Sequence, residues 1–145
     1  MSKPILILNG PNLNRLGLRE PEVYGRETLD ELNQRLRDYA GQKSVALEFA
    51  QSNHEGELID RIHAAAGTMR GIIINPGGLT HTSVALRDAV ASISIPVIEV
   101  HISNIFSREP FRHQTMISGA CVGMIGGLGT QGYFLAVDYL LSLPE

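Results

Sequence analysis

Five short apolar runs, separated by amphipathic segments, constrain the fold of this chain more than any other feature. The runs are apolar at almost every position, which is typical of parallel strands covered on both faces. We expect strands at Ile5–Leu8, Val45–Ala50, Ile72–Ile74, Pro96–Val100 and Val122–Ile125. The alternation predicts an α/β fold: a single-domain, flavodoxin-like open parallel five-stranded sheet with helices on both faces and right-handed crossovers.

Four of the intervening segments carry helical periodicity. Thr28-Leu-Asp-Glu31 is a capping box, and the apolar stripe that follows it predicts a helix ending at Gly41. The segment from Phe111 to Gly119 allows a short helix. The other predicted helices are Glu55–Ala66, Ser83–Ser92 and Gln131–Leu143.

The composition excludes several classes of protein. The 145 residues suit one domain, which we expect to span residues 1–145. A net charge of −3 lacks the basic surplus of a typical nucleic-acid-binding domain. A single cysteine, Cys121, excludes an intrachain disulfide and a Cys-rich zinc site. No apolar run approaches the ~20 residues of a membrane span, and no signal-peptide pattern is present, so we expect a cytoplasmic protein without membrane partners.

Polar residues follow the predicted strands, and they include a glutamate and a histidine in close sequence. Ligands of open parallel sheets bind beyond the carboxyl ends of the strands, so these positions are candidate site residues. Glu99 and His101 are two apart on one strand and therefore share a face. A carboxylate beside an imidazole fixes the tautomer of the imidazole and makes it a better proton donor. The structural alternative is that His101 is a buried histidine and that Glu99 only satisfies its hydrogen bonding.

A second histidine leaves other functions open. His81 lies near the start of a predicted helix, where a surface role beside the N-cap is the simplest interpretation. His81, Glu99 and His101 are also a ligand set that zinc accepts, which would permit metal-assisted hydrolysis, but no compact ligand motif is present. A flavodoxin-like module that binds a small polyol or nucleotide without reaction is a further alternative.

A long polar loop follows the first strand and carries its own phenol and cations. Tyr24 lies close in sequence to Arg15, Arg19 and Arg26. Cations near a phenol favour the phenolate, which is a base. A polar loop of this length is uncommon in a compact domain unless it covers a site, so we predict a lid over about residues 12–26. The alternative is a solvated loop whose arginines pair with surface carboxylates.

These residues belong to longer strings that run along nearly the whole chain. The strings are Asn9-Gly-Pro-Asn12, Arg19-Glu-Pro-x-x-Tyr24-Gly25, Gln51-Ser-Asn53 with Glu55-Gly56, Asn75-Pro-Gly77, Thr80-His-Thr-Ser-Val-Ala-Leu-Arg-Asp88, Glu99-Val-His-Ile-Ser-Asn104, Arg108-Glu109 with Phe111-Arg112, and Gly127-x-Gly129 with Gly132-Tyr133. With them the chain resembles the type II 3-dehydroquinate dehydratases (3-dehydroquinases). It departs from many members at Gly78-Leu79, where they carry Ala and an aromatic residue, a difference that would alter the pocket wall.

The resemblance implies trans-elimination of water from 3-dehydroquinate to give 3-dehydroshikimate through an enolate, without metal or cofactor. This reaction serves aromatic biosynthesis or quinate breakdown. By resemblance, Tyr24 is the base and Arg19 keeps it ionised. His101 is the general acid, oriented by Glu99, and Asn12 holds the water that stabilises the enolate.

The resemblance also implies the substrate contacts and the assembly. The backbone amides of Ile102 and Ser103 would bind the substrate carboxylate. Family members assemble as a dodecamer built from trimers, in which Asp88 would reach the site of a neighbouring subunit. The ring hydroxyls would be bound by Asn75, His81 and Arg112.

Overall fold

Five parallel strands form one sheet in the order β2-β1-β3-β4-β5, and the computed structural model describes residues 2–145. The strands are β1 Ile5–Asn9, β2 Leu47–Gln51, β3 Gly71–Asn75, β4 Val97–His101 and β5 Gly123–Gly126. The helices are α1 Pro21–Tyr24, α2 Leu29–Gln42, α3 Glu55–Ala65, α4 Val84–Ala91 and α5 Gln131–Ser142. The predicted fold class and strand order are confirmed, and every predicted strand lies within two residues of its observed position.

Two faces of the sheet are covered by different helices because side chains alternate along each strand. Ile5 and Ile7 of β1 belong to the core under α2 and α5. Leu6 and Leu8 belong to the core under α3 and α4. The core residues on both faces of β1, β3 and β4 are buried, which accounts for the apolar sequences of these strands. None of the helices described within residues 2–145 is long and apolar enough to cross a bilayer.

The first long helix begins where its capping box predicts and ends later than expected. Thr28 Oγ1 accepts a bond from the backbone of Glu31 at 3.2 Å, and Glu31 Oε1 accepts one from the Thr28 backbone at 2.9 Å. The predicted stop at Gly41 is wrong, because the helix continues to Gln42. It ends through a left-handed residue, Ser44, with φ of 59°, and Val45 N then donates to Ala40 O at 3.0 Å.

The short helix allowed over Phe111–Gly119 is also wrong. The segment instead forms two single 3₁₀ turns, Pro110–Arg112 and Ser118–Ala120, separated by irregular chain. The irregular residues bond to other loops: Met116 N donates to Thr80 O at 2.7 Å, and Arg87 donates to Met116 O at 2.9 Å. Backbone groups committed to those partners are unavailable for a helical ladder.

A buried polar network joins α5 to the centre of the sheet. Tyr133, on α5, is fully buried, and burial raises the pKa of its phenol well above the usual range. The hydroxyl therefore stays protonated and donates to Asn9 Oδ1 at 2.6 Å. It also accepts a bond from Asn75 Nδ2 at 3.1 Å. Asn9 and Asn75 are paired at the carboxyl ends of β1 and β3, so this network lies at the edge of the sheet where those strands end.

Candidate active site

A cavity of about 190 Å³ opens at the carboxyl ends of the strands. It lies between the segment after β1, the turn after β3 and the segment after β4, as expected for an open parallel sheet. Most of the residues singled out from the sequence meet there. The cavity is lined by Asn12, Arg19, Tyr24, Asn75, His81, His101, Ile102, Ser103 and Arg112, together with Arg108 and apolar neighbours.

The phenol of Tyr24 is held by an arginine far away in the sequence. Arg108 Nη1 donates to Tyr24 Oη at 2.6 Å and lies 3.4 Å from Ser103 Oγ. The Arg108 side chain is largely buried, with 14% of its surface exposed. A hydrogen bond from a charged donor at a poorly solvated site is stronger than one between neutral groups. No role for Arg108 is predicted from the sequence, although this residue lies in one of the shared strings.

Arg19 contacts the same phenol in a different way. Its guanidinium carbon lies 4.9 Å from the centre of the Tyr24 ring, and its Nη2 is 3.4 Å from Glu20 Oε2. Arg108 also lies over the ring, at 5.1 Å. Two cations therefore surround Tyr24, but only Arg108 bonds to the oxygen on which a phenolate carries most of its charge.

Glu99 and His101 form a buried pair at the end of β4. Strand alternation places both on the same face as Val97, which packs in the core under α3 and α4. His101 Nε2 lies 2.5 Å from Glu99 Oε2, and Glu99 has no exposed surface. A carboxylate can only accept, so Nε2 carries the hydrogen and Nδ1 is the ring nitrogen left for a ligand. Thr115 Oγ1 lies 3.2 Å from the other carboxylate oxygen.

The second histidine of the cavity is oriented from outside it. His81 Nδ1 lies 2.8 Å from Gln114 O, and a carbonyl can only accept, so Nδ1 carries the hydrogen. Nε2 is then an acceptor available to a hydroxyl group in the cavity. His81 does not join Glu99 and His101 in a metal site: among residues 2–145, no three His, Cys, Asp or Glu side chains are grouped to hold an ion.

The backbone of Asn12, which lines the cavity, is held by amide side chains of neighbouring residues. Asn12 has a left-handed backbone, with φ of 72°, and its N–H donates to Asn53 Oδ1 at 3.0 Å. Gln51 Nε2 donates to the same Asn53 oxygen at 3.1 Å and to Gly10 O at 3.1 Å. Residues at and just beyond the carboxyl ends of β1 and β2 thus hold the Asn12 backbone in place.

The turn after β3 brings backbone close to the cavity. Gly77 N donates to Asn75 Oδ1 at 3.1 Å, so the Asn75 amide closes its own turn. Gly77 has φ of +62°, and a side chain there would meet Pro11 O at 2.7 Å. Gly78 also lines the cavity, but a Cβ at that position would have no heavy atom within 4 Å. The position where many type II 3-dehydroquinate dehydratases carry Ala therefore has space for it.

Arg112 and Asp88 have contrasting surroundings. Arg112 lines the cavity and donates from Nε to Glu109 Oε1 at 2.8 Å, which holds the pKa of that carboxyl below its usual range and leaves the other guanidinium nitrogens available. Asp88 is exposed on α4, away from the cavity of its own chain. It has no ion-pair partner among residues 2–145.

The segment predicted as a lid has more local structure than its sequence indicates. It includes a 3₁₀ turn at Leu13–Arg15 and the single-turn helix α1, which begins at Pro21 after a left-handed Glu20 with φ of 41°. Tyr24 is the last residue of α1. The short helix therefore delivers the phenol into the cavity.

Comparison with known proteins agrees with this geometry. A family model described as "Dehydroquinase class II" matches residues 3–141. The chain is 58% identical over 137 residues to the 3-dehydroquinate dehydratase of Bacillus subtilis (strain 168), covering 94% of this chain and 93% of that protein. It is 56% identical over 145 residues to 3-dehydroquinate dehydratase 2 of Pseudomonas putida, covering 100% and 97%.

A solved structure shares the same architecture. The crystal structure of type II dehydroquinase from Butyrivibrio crossotus superposes with a TM-score of 0.95 at 48% identity, covering 97% of this chain and 98% of the other. One assignment follows from the strand order, from the cavity beyond β1, β3 and β4, and from a family match over almost all residues. The chain belongs to the class II dehydroquinase family.

Proposed function

We propose that this protein is a 3-dehydroquinate dehydratase that removes water from its substrate through an enolate, with Tyr24 as base and His101 as acid. The observation that carries the proposal is the meeting of a cation-bound phenol and a carboxylate-bound imidazole in one cavity. Full-length relatives named 3-dehydroquinate dehydratase support the choice of substrate. An elimination next to a ketone needs both groups, whereas a binding module needs neither.

The first step is removal of a proton beside the ketone. The Tyr24 phenolate takes the proton, and the electron pair of the broken C–H bond moves into the enolate. Arg108 stabilises the phenolate through its 2.6 Å bond, and Arg19 contributes from the ring face. We therefore extend the predicted role of Arg19 to both arginines, with the larger share for Arg108. Asn12 would hold a water on the enolate oxygen.

The second step is departure of the hydroxyl group. The enolate electrons form the new C=C bond, the C–O bond breaks, and His101 donates a proton so that water leaves. Glu99 stabilises the imidazolium that acts as donor and holds its ring. His101 Nδ1 is the nitrogen that would deliver the proton.

The remaining cavity residues would bind the substrate. Ile102 and Ser103, directly after β4, would offer backbone amides to the carboxylate. His81 Nε2 and the free nitrogens of Arg112 face the cavity as hydroxyl ligands, and Asn75 lies at its base. No step uses a metal or cofactor.

We also infer the assembly and the closing motion from family membership. The proposed unit is one catalytic domain over residues 1–145, assembled as a dodecamer of trimers. Asp88, exposed and outside its own cavity, would serve a neighbouring subunit. Residues 12–26 would close over the substrate and exclude water. The cytoplasmic location stays a prediction.

The decisive experiment is an ultraviolet assay for the conjugated enone product with 3-dehydroquinate, run with and without a chelator. We expect turnover in both conditions. Tyr24→Phe and His101→Ala should each lower kcat at least ~10²-fold while substrate still binds, which is the usual worth of a positioned acid or base. Near-normal kcat in either variant would remove that residue from its role, and loss of activity with chelator would favour metal-assisted chemistry.

The two arginines form a matched pair of tests. Arg108→Gln removes the bond to the phenol oxygen, whereas Arg19→Gln removes only the charge over the ring. Each variant removes a positive charge that stabilises the base in the proposed mechanism, so both variants should have a lower kcat. We expect the larger loss of kcat in Arg108→Gln. A larger effect of Arg19→Gln in a correctly folded protein would return the main role to Arg19.

A further inference from the structure

Residues 114–116 orient both histidines of the cavity without lining it. Gln114 offers its carbonyl to His81 Nδ1 at 2.8 Å, and Thr115 contacts Glu99, which holds His101. The segment is itself secured, because Met116 bonds to Thr80 at 2.7 Å. Within residues 114–116, Thr115 is the residue whose side chain contacts the Glu99–His101 pair.

The hydrogen-bonding capacity of Thr115 determines where its proton goes. Its Oγ1 accepts from two backbone N–H groups, of Ile117 at 3.1 Å and of Ser118 at 2.9 Å. A hydroxyl has two lone pairs and one hydrogen, so both lone pairs are in use and only the hydrogen remains. Two acceptors lie within reach of it: Glu99 Oε1 at 3.2 Å and Ser118 Oγ at 3.0 Å. A carboxylate is the stronger acceptor, since bonds to charged groups are roughly twice as strong as neutral ones.

Glu99 depends on that hydrogen bond. The carboxylate has no exposed surface, so solvent cannot satisfy its oxygens, and an unpaired buried charge is costly. Oε2 is bonded to His101, and Oε1 has Thr115 as its partner. Without Thr115, Oε1 is an unpaired acceptor in a buried site, so the carboxylate turns toward another partner. His101 then loses the contact that holds its ring in place.

We propose that Thr115 is a positioning residue for the proton donor, acting through Glu99 on His101. The inference rests on the proposed function, since it assumes that His101 is the acid. Thr115 touches neither the cavity nor a substrate in it, so its loss should affect the chemical step far more than substrate binding.

Three variants separate this role from a general structural one. Thr115→Val deletes the hydroxyl at nearly constant shape, Thr115→Ser retains it, and Ser118→Ala removes the competing acceptor without touching Glu99. We expect Thr115→Val to lose about 10- to 100-fold in kcat, the equivalent of one hydrogen bond to a charged group, with KM within about threefold. Thr115→Ser should recover most of the loss, and Ser118→Ala should stay within about twofold of wild type.

Thr115→Val also leaves two backbone N–H groups without an acceptor, so it could lose its fold. Neutron diffraction from deuterium-exchanged crystals of the wild-type protein therefore tests the bond directly. Deuterium on Thr115 Oγ1 directed at Glu99 Oε1 supports the proposal, and deuterium directed at Ser118 overturns it. The diffraction result is independent of activity. A wild-type protein that does not act on 3-dehydroquinate would refute the proposed function, but it would not change the direction of the Thr115 hydrogen bond.

The kinetics offer equally clear refutations. Folded Thr115→Val with kcat within twofold of wild type would show that the hydroxyl does not support the acid. A loss in Ser118→Ala as large as that in Thr115→Val would assign the effect to the turn and not to Glu99. A Thr115→Ser variant as impaired as Thr115→Val would show that the methyl group, and hence packing, matters instead.

Discussion

Replacing Tyr133 by Phe should destabilise this protein through two specific atoms. The substitution removes only a hydroxyl that donates to Asn9 Oδ1 at 2.6 Å and accepts from Asn75 Nδ2 at 3.1 Å. The ring stays, so the apolar packing of α5 on the sheet is preserved. The variant leaves the acceptor Asn9 Oδ1 on β1 and the donor Asn75 Nδ2 on β3 without the hydroxyl that they share.

The size of the effect follows from the burial of those partners. Asn9 is 2% exposed and should carry the full cost of an unpaired buried acceptor, ~1–3 kcal/mol. Asn75 borders the cavity, where water can reach it, so its share lies near the lower end of the same range. The sum is about 2–4 kcal/mol, which at an m value of ~2 kcal/mol/M corresponds to a urea midpoint lower by roughly 1–2 M.

Urea unfolding at one fixed protein concentration measures this loss, because assembly would otherwise shift the midpoint. Tyr139→Phe is the matched control: it lies on the same helix, its side chain is 43% exposed, and its hydroxyl has no hydrogen bond among residues 2–145. A Tyr133→Phe midpoint within ~0.3 M of that control would refute the reasoning, since the network would then contribute little. Loss of the bond should also raise KM, because Asn75 lines the cavity.

Two further predictions concern the turn after β3 and the start of α2. Gly78→Ala should leave stability nearly unchanged in thermal unfolding, whereas Gly77→Ala should be strongly destabilising, because its Cβ would meet Pro11 O at 2.7 Å with φ at +62°; equal stability of the two variants would contradict this. Glu31 has a pKa below its usual range because the Thr28 backbone N–H donates to it. A lowered folded-state pKa gives stability that is present above the unfolded pKa of ~4.3 and is lost as pH falls through the folded value. Glu31→Gln should therefore be less stable than wild type at pH 7, with the difference shrinking below pH ~4, and a pH-independent difference would exclude this origin.

The fold was predictable from local patterns because each element carries its own signal. The apolar strands reveal their double-sided burial, and the capping box at Thr28 places the start of α2 correctly. The end of α2 was missed because glycine is the usual left-handed residue, while here Ser44 takes that conformation three residues after Gly41. Helix ends of this kind depend on where the next strand must begin.

The site was less predictable where its contacts join distant parts of the chain. Glu99 and His101 could be paired from their spacing, since a strand places alternate residues on one face. Arg19 could be proposed as a partner of Tyr24 because it is five residues away in the sequence. The arginine that bonds to the phenol oxygen, Arg108, is 84 residues after Tyr24. Thr115 resembled part of a short helix, because nothing in a local window shows that its hydroxyl meets a carboxylate on another element.

The late position of α5 has a consequence for synthesis. Strands β1, β3 and β4 can pair once the residues up to His101 are available, but the face that carries Ile7, Ile73 and Ile98 is only partly covered, by α2, until Gln131–Ser142 arrives. At ~5–20 residues per second, a ribosome needs roughly 1–3 s to add residues 131–145. During that interval an open apolar sheet face is available to other nascent chains. Conditions that slow translation of residues 131–145 should therefore increase aggregation, although every cavity-lining residue has already been made.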